Sequence, residues 1–119
     1  MMVERIRPEP VLELPRGITV SQAPNATVIL LAGLVVPLST YEAIVDYVYL
    51  GRQPNDFLRA VLCNDLVGAC QHADRLNAVY LRDTVLFVYN HCPPRCCGSA
   101  ERVTEWLGRC LNHFGRVKA

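Results

Sequence analysis

The chain has 119 residues, 51% of them apolar and 19% charged, with 12 Lys and Arg set against 11 Asp and Glu. That length supports one domain with its own core, and the composition excludes a disordered segment. A net charge of +1 without any Lys/Arg run argues against a surface built to neutralise many phosphates, so a nucleic acid is not the expected partner. Lys118 is the only lysine, and all other cations are arginines, whose planar fork suits carboxylate pairing at interfaces.

The N-terminus, Met1-Met2-Val3-Glu4-Arg5-Ile6-Arg7-Pro8, places charges and a proline where a secretory signal needs an apolar stretch. A cytoplasmic location is therefore expected, with the six cysteines reduced. Pro8, Pro10, Pro15 and Pro24 argue for an extended, Pro-rich arm. Val11–Leu14 and Gly17–Val20 are β-prone pieces around Pro15-Arg16-Gly17 and could form a small hairpin. The apolar run Thr27–Leu38 is 12 residues long, too short to span a bilayer, so no membrane is expected. Its β-branched residues favour a buried strand, while Leu-Leu-Ala-Gly-Leu at its centre suits a short helix. With no other strands legible for a sheet, helix is the expectation. So greasy a run must pack on the rest of the chain or pair with a second copy, which makes a homodimer through the N-terminal segment a candidate. Residues 1–38 thus read as an arm with an apolar segment, and residues 39–115 as a helical domain.

Ser39-Thr40-Tyr41-Glu42 has the form of a capping box, followed by a Tyr41, Ile44, Val45, Val48 stripe that ends near Gly51. Pro54-Asn55-Asp56 starts a second helix with Phe57, Leu58, Val61 and Leu62 inward, and Asn64-Asp65 interrupts and recaps. Leu66, Cys70, Ala73 and Leu76 fit a third helix. Asn77 can cap a fourth, lined by Val79, Leu81, Val85, Leu86 and Tyr89. Ser99 can cap a fifth, with Val103, Trp106, Leu107, Cys110 and Leu111 inward, facing the fourth, and Gly115 as its stop. The expected architecture is mainly α, a compact bundle of about five short helices behind the extended arm.

Between the last two helices lies Asn90-His91-Cys92-Pro93-Pro94-Arg95-Cys96-Cys97-Gly98-Ser99, which holds three of the six cysteines. Zinc would need four N/S ligands in two close pairs. Cys92 and Cys96 offer one pair, with His91 and Cys97 as alternates; Cys110 and His113 offer the other. The competing reading, with no metal and no cofactor, makes Cys110 a core residue. Cys97 near a helix N-terminus could also be an activated thiol with His91 or His113 as base, yet no carboxylate orients either and no oxyanion-hole pattern exists. No catalytic residue is assigned. Cys63 and Cys70 read as core, His72 as solvent-facing, and Asp65 and Asp74 as caps. Residues 55–76 could form a helix-turn-helix, with Gln71, His72 and Arg75 as base readers. The pairs Arg75/Arg82 and Arg102/Arg109, each seven apart among nearby acids, read as solvated faces.

Gly51-Arg52-Gln53-Pro54 running into Phe57-Leu58-Arg59-Ala60-Val61-Leu62, then Asn64-Asp65-Leu66 and Ala73-Asp74 with Asn77, forms a distinctive series. It continues at Tyr89-Asn90, Pro93, Cys96, Gly98-Ser99, Val103 and Trp106-Leu107. Over about residues 47–107 this resembles a group of short bacteriophage and prophage proteins, in which a tryptophan stands in place of Cys97 and a non-cysteine in place of Cys92. The resemblance implies a small phage accessory protein that works without catalysis by binding a host protein. An inhibitor of a defence complex, such as an anti-CRISPR, is its sharpest form. The alternatives are a small helical nucleic-acid-binding regulator or a zinc-binding helical module.

Overall fold

The structure is a computed structural model that describes residues 17–118, with side chains described as far as Leu111. Three antiparallel strands lead the chain: β1 (Thr19–Gln22), β2 (Thr27–Leu31) and β3 (Leu34–Pro37). The apolar run is therefore a hairpin, not a helix. Ala32 (φ 51°) and Gly33 (φ 84°) both take the left-handed conformation that a two-residue hairpin turn requires. Leu31 faces Leu34 and Ile29 faces Val36 across it. The Ala-Gly dipeptide, helix-like in sequence, is the turn itself, and the β-branched residues on each side take the pleated positions that suit them.

The missing partner strand comes from upstream. β1 pairs with β2 through a turn at Pro24-Asn25, where Ala23 and Ala26 exchange backbone hydrogen bonds of 2.8 and 3.3 Å. The hairpin thus turns at Pro24-Asn25, and β1 takes β2 as its partner. Val11–Leu14 and the rest of residues 1–16 lie outside the described residues.

Helix α1 (Leu38–Val45) follows β3 directly, with Pro37 at its N-cap position and no side-chain cap. The capping box does not form. The helix begins one residue before Ser39, which sits inside the first turn where its hydroxyl cannot reach the free amides. Thr40 instead donates to Asn77 Oδ1 at 2.7 Å. α1 then widens into one π-helical turn, Asp46–Leu50, closed by Gly51 at φ 68°. That turn points Tyr47 and Val48 inward, both wholly buried.

Four more α-helices lead to the cysteine corner: α2 (Asp56–Leu62), α3 (Leu66–His72), α4 (Arg75–Val79) and α5 (Leu81–His91). Asn55, Asp65 and Asp74 cap α2, α3 and α4 through bonds of 2.8, 3.0 and 2.8 Å to the amides of Leu58, Gly68 and Asn77. Asp74, not Asn77, is thus the cap. α2 and α3 form the tightest helix pair, because α3 turns Gly68 and Ala69 toward α2. A Cβ on Gly68 would lie 3.3 Å from the Ala60 Cβ. This reverses the expected face of α3: Leu66 and Cys70 point to solvent.

A 3-10 turn, Pro94–Cys96, precedes α6 (Ala100–Lys118), whose N-terminus is capped by Ser99 Oγ accepting from Arg102 N at 3.1 Å. Gly115 lies inside α6 and does not end it. α5 buries Thr84, Phe87 and Val88, while Val85 and Leu86 are half-buried and Tyr89 is exposed. The expected stripe is rotated because α5 packs chiefly on β3, where Asp83 Oδ2 accepts from Val35 N at 2.9 Å. α6 packs on the 3-10 turn, the π turn and α2 in place of α5. Val103, Trp106 and Cys110 are buried as expected, but Leu111 is exposed.

The result is six α-helices and one three-stranded antiparallel sheet among the described residues, rather than a bundle of five helices. Ile29 and Val36 join Ile44, Tyr47, Phe87 and Val103 in one apolar core. The apolar segment is thus absorbed by its own chain. Among the described residues no helix is long and apolar enough to cross a membrane.

Candidate binding site at the cysteine corner

Residues 92–99 are held from every side. Tyr47 Oη donates to Cys96 O at 2.7 Å, and Gly98 N donates to Leu62 O at 2.7 Å. Trp106 Nε1 donates to Tyr47 O at 3.3 Å, so the π turn links the corner to α6. Tyr89 Oη donates to Val61 O at 2.8 Å and closes the far side of α2. Arg102 Nη1 reaches back across the first turn of α6 to Pro94 O at 3.3 Å and Cys97 O at 3.2 Å. These bonds tie the corner to the π turn, α2 and α6, and three of their acceptors, Tyr47 O, Val61 O and Pro94 O, also accept main-chain amides from Gly51, Asn64 and Cys97.

The thiols lie beneath this lattice. Cys92, Cys96, Cys97 and Cys110 are all buried, while Cys63 is half-buried and Cys70 exposed; the expected core position of Cys70 is wrong because α3 packs through its small residues. Cys96 and Cys97 interact side chain to side chain. That hydrogen bond, with burial behind it, raises the Cys96 pKa, and the same bond lowers that of Cys97, helped by Arg102 and opposed by burial. Burial, with Cys97 nearby, pushes the Cys92 thiol up to about 12. Tyr47 is also raised, first by burial and then by the neighbouring thiols. The corner is a packed thiol layer in which Cys97 is the most acidic member.

Of the four residues considered for zinc, Cys92, Cys96 and Cys110 are buried in the core, and the side chain of His113 lies outside those described. Among the described residues no three His, Cys, Asp or Glu side chains converge as a metal site. Cys110 packs against Gly51, so close that a Cβ on Gly51 would overlap the Cys110 Cβ. His91, the other candidate base, is tilted against the Phe87 ring at 5.7 Å between centroids.

These burial levels set an order of reactivity. Iodoacetamide at pH 7.5 is expected to modify Cys70 quickly and Cys63 slowly, because burial raises the Cys63 pKa. Cys92, Cys96, Cys97 and Cys110 should stay unmodified until denaturant is added. Peptide mass mapping of a time course checks this, and fast labelling of Cys97 would show that the corner is open.

Outside the thiol layer the corner and α6 frame a cleft of about 170 Å3, lined by Pro94, Arg95, Arg102, Glu105, Trp106 and Arg109. The Arg109 guanidinium carbon stands 5.5 Å from the Trp106 ring centroid, a cation–π arrangement. Arg95, Arg102 and Arg109 follow one another at intervals of seven in the sequence, yet only the last two share a helix. The sequence marked Arg102 and Arg109 as one face; the 3-10 turn brings Arg95 to it, and no local pattern announces that. Tyr47 was missed although it stands three residues after Ile44, on the same helical face as Ile44 and Val48. Comparison with protein-family models, curated proteins and solved structures finds no match for this chain.

Proposed function

We propose that this chain is a small phage-type accessory protein without catalytic activity that acts by binding a host protein, as an inhibitor of a host factor or defence complex such as an anti-CRISPR. The phage origin rests on the resemblance across residues 47–107. The mode of action rests on α3, whose inner face is filled by Gly68 and Ala69 while Leu66 and Val67 stand 68% and 66% exposed. Cys70 extends that outward face one turn further. Aliphatic side chains on the solvent side of a helix cost nothing in folding but give a partner surface to bury. They also weaken the helix-turn-helix alternative, because a recognition helix needs hydrogen-bond donors and acceptors where α3 carries Leu66 and Val67. Catalysis is disfavoured because the most acidic corner thiol, Cys97, is only 3% exposed, which withholds it from a substrate in solution.

Affinity capture of the tagged protein from a bacterial lysate, with and without nuclease, tests this. A protein retained under both conditions is the expected result. Retention of nucleic acid, or of nothing, would count against protein binding.

A further inference from the structure

We infer that the outer edge of β1 pairs with the β1 of a second copy of this chain, antiparallel about a twofold axis at Val20, so that two three-stranded sheets join into one of six strands.

The ladder fixes which main-chain groups face outward. Ala23 and Ala26 exchange two hydrogen bonds, so they are the close pair at the turn. Bonded and non-bonded pairs alternate along an antiparallel ladder. In the observed register Thr19 and Ser21 therefore bond to Leu30 and Val28, while Val20 and Gln22 turn their N–H and C=O groups away from β2. Ile18, one residue before β1, has the same phase as Val20. Among the described residues nothing pairs with this edge, and Thr19, Val20 and Gln22 are all exposed, Val20 by 59%.

The opposite edge of the sheet is closed. Leu31 and Leu34 are the close pair beside the two-residue turn, so the Val35 amide points out of β3. It donates to Asp83 Oδ2 at 2.9 Å, and α5 packs alongside. Pro37 ends that strand and has no N–H to offer. β1 carries none of these devices: Thr-Val-Ser-Gln has no charge and no proline. An edge left so bare is a template for another strand.

Self-pairing suits this edge in particular. A twofold axis sets a central residue against its own copy, so a charge there would meet its like. Here Val20 faces the second copy's Val20, Ile18 faces its Gln22, and Thr19 faces its Ser21. The outward N–H and C=O groups of all three, Ile18, Val20 and Gln22, then have partners. The two valines form a β-branched cross-strand pair on one face, and the Thr and Ser hydroxyls meet on the other. A charged foreign strand would find no ion-pair partner along Thr19–Gln22, whereas the chain's own edge brings a neutral group to every position.

Sedimentation velocity of the full chain over a concentration series, combined with residue-resolved amide exchange at both ends of that series, tests the inference. A reversible monomer–dimer equilibrium is expected. The Val20 and Gln22 amides should exchange slowly only at high concentration, while those of Thr19 and Ser21, bonded within the chain, are protected throughout. Val20→Lys sets two ammonium groups against each other at the axis and should weaken dimerisation about tenfold. Circular dichroism establishes that this variant is folded; should it unfold, the exchange pattern of the unaltered chain decides. The inference falls if the chain stays monomeric at every concentration, or if the folded variant dimerises as tightly as the parent. It also falls if the Val20 and Gln22 amides exchange slowly in the monomer, which would mean that the chain covers its own edge. Protection of those amides only in the presence of a captured host protein would overturn it too, while leaving host binding intact.

Discussion

Replacing Trp106 with alanine should remove about 3–5 kcal/mol of stability, the usual cost of deleting a buried aromatic from a core. Trp106 is 3% exposed and belongs to the main apolar core with Tyr47, Phe57 and Val103. Its indole also satisfies the buried carbonyl of Tyr47 at 3.3 Å, inside the π turn, where helical hydrogen bonding is irregular. Truncation therefore opens a cavity and removes the bond that ties α6 to the π turn, although Tyr47 O keeps its bond from Gly51 N at 3.1 Å. A small domain commonly has about 5–15 kcal/mol in total, so the variant should be marginal or unfolded at 37 °C. Urea denaturation followed by circular dichroism measures the loss. A midpoint unchanged from the parent protein would show that α6 does not rest on the π turn.

The second large effect is expected at Gly51. Its φ of 68° is the left-handed conformation, which costs an L residue about 1–2 kcal/mol. The position is also crowded, since a Cβ there would overlap the Cys110 side chain on α6. Overpacking of this kind costs about 1–3 kcal/mol more. Gly51→Ala should therefore lose roughly 2–5 kcal/mol in all. Gly33→Ala is the natural control. It has φ 84° but nothing within 4 Å of the added Cβ, so it should show the conformational cost alone. Equal melting temperatures for the two variants would mean that Gly51 and Cys110 do not touch.

Local chemistry in the sequence placed some of the helix ends and missed others, such as the Ser39 capping box and the Gly115 stop. Asn55, Asp65 and Ser99 cap helices where the pattern put them, and Gly51 ends the first helical stretch in the αL conformation. Caps act within one turn of chain, so a single sequence carries them. The larger failures depended on distant partners. The run 27–36 read as helix because Gly17–Val20, which overlaps β1, was set beside Val11–Leu14 and not beside this run, and a strand is legible only beside its partner. The α5 stripe was centred on Val85 and Tyr89, yet Thr84 lies at the buried centre, because the sheet and not α6 covers that helix. Leu66 was counted as core because it is apolar, but Gly68 and Ala69 decide the face of α3 by letting two backbones approach. The cysteine corner was recognisable as a rigid thiol-rich turn. The arginine cleft was not, because Arg95 joins Arg102 and Arg109 only after the chain has turned.

Binding of a host protein through the outward face of α3 is tested most directly by native mass spectrometry of the assembly captured from nuclease-treated lysate. The expected spectrum shows the chain bound to at least one foreign polypeptide at fixed stoichiometry. It should lose that species when Leu66 and Val67 are both replaced by serine, exposed positions whose change leaves the core untouched. A spectrum containing only the chain or multiples of it, or a foreign species that the serine variant retains in full, would contradict the account.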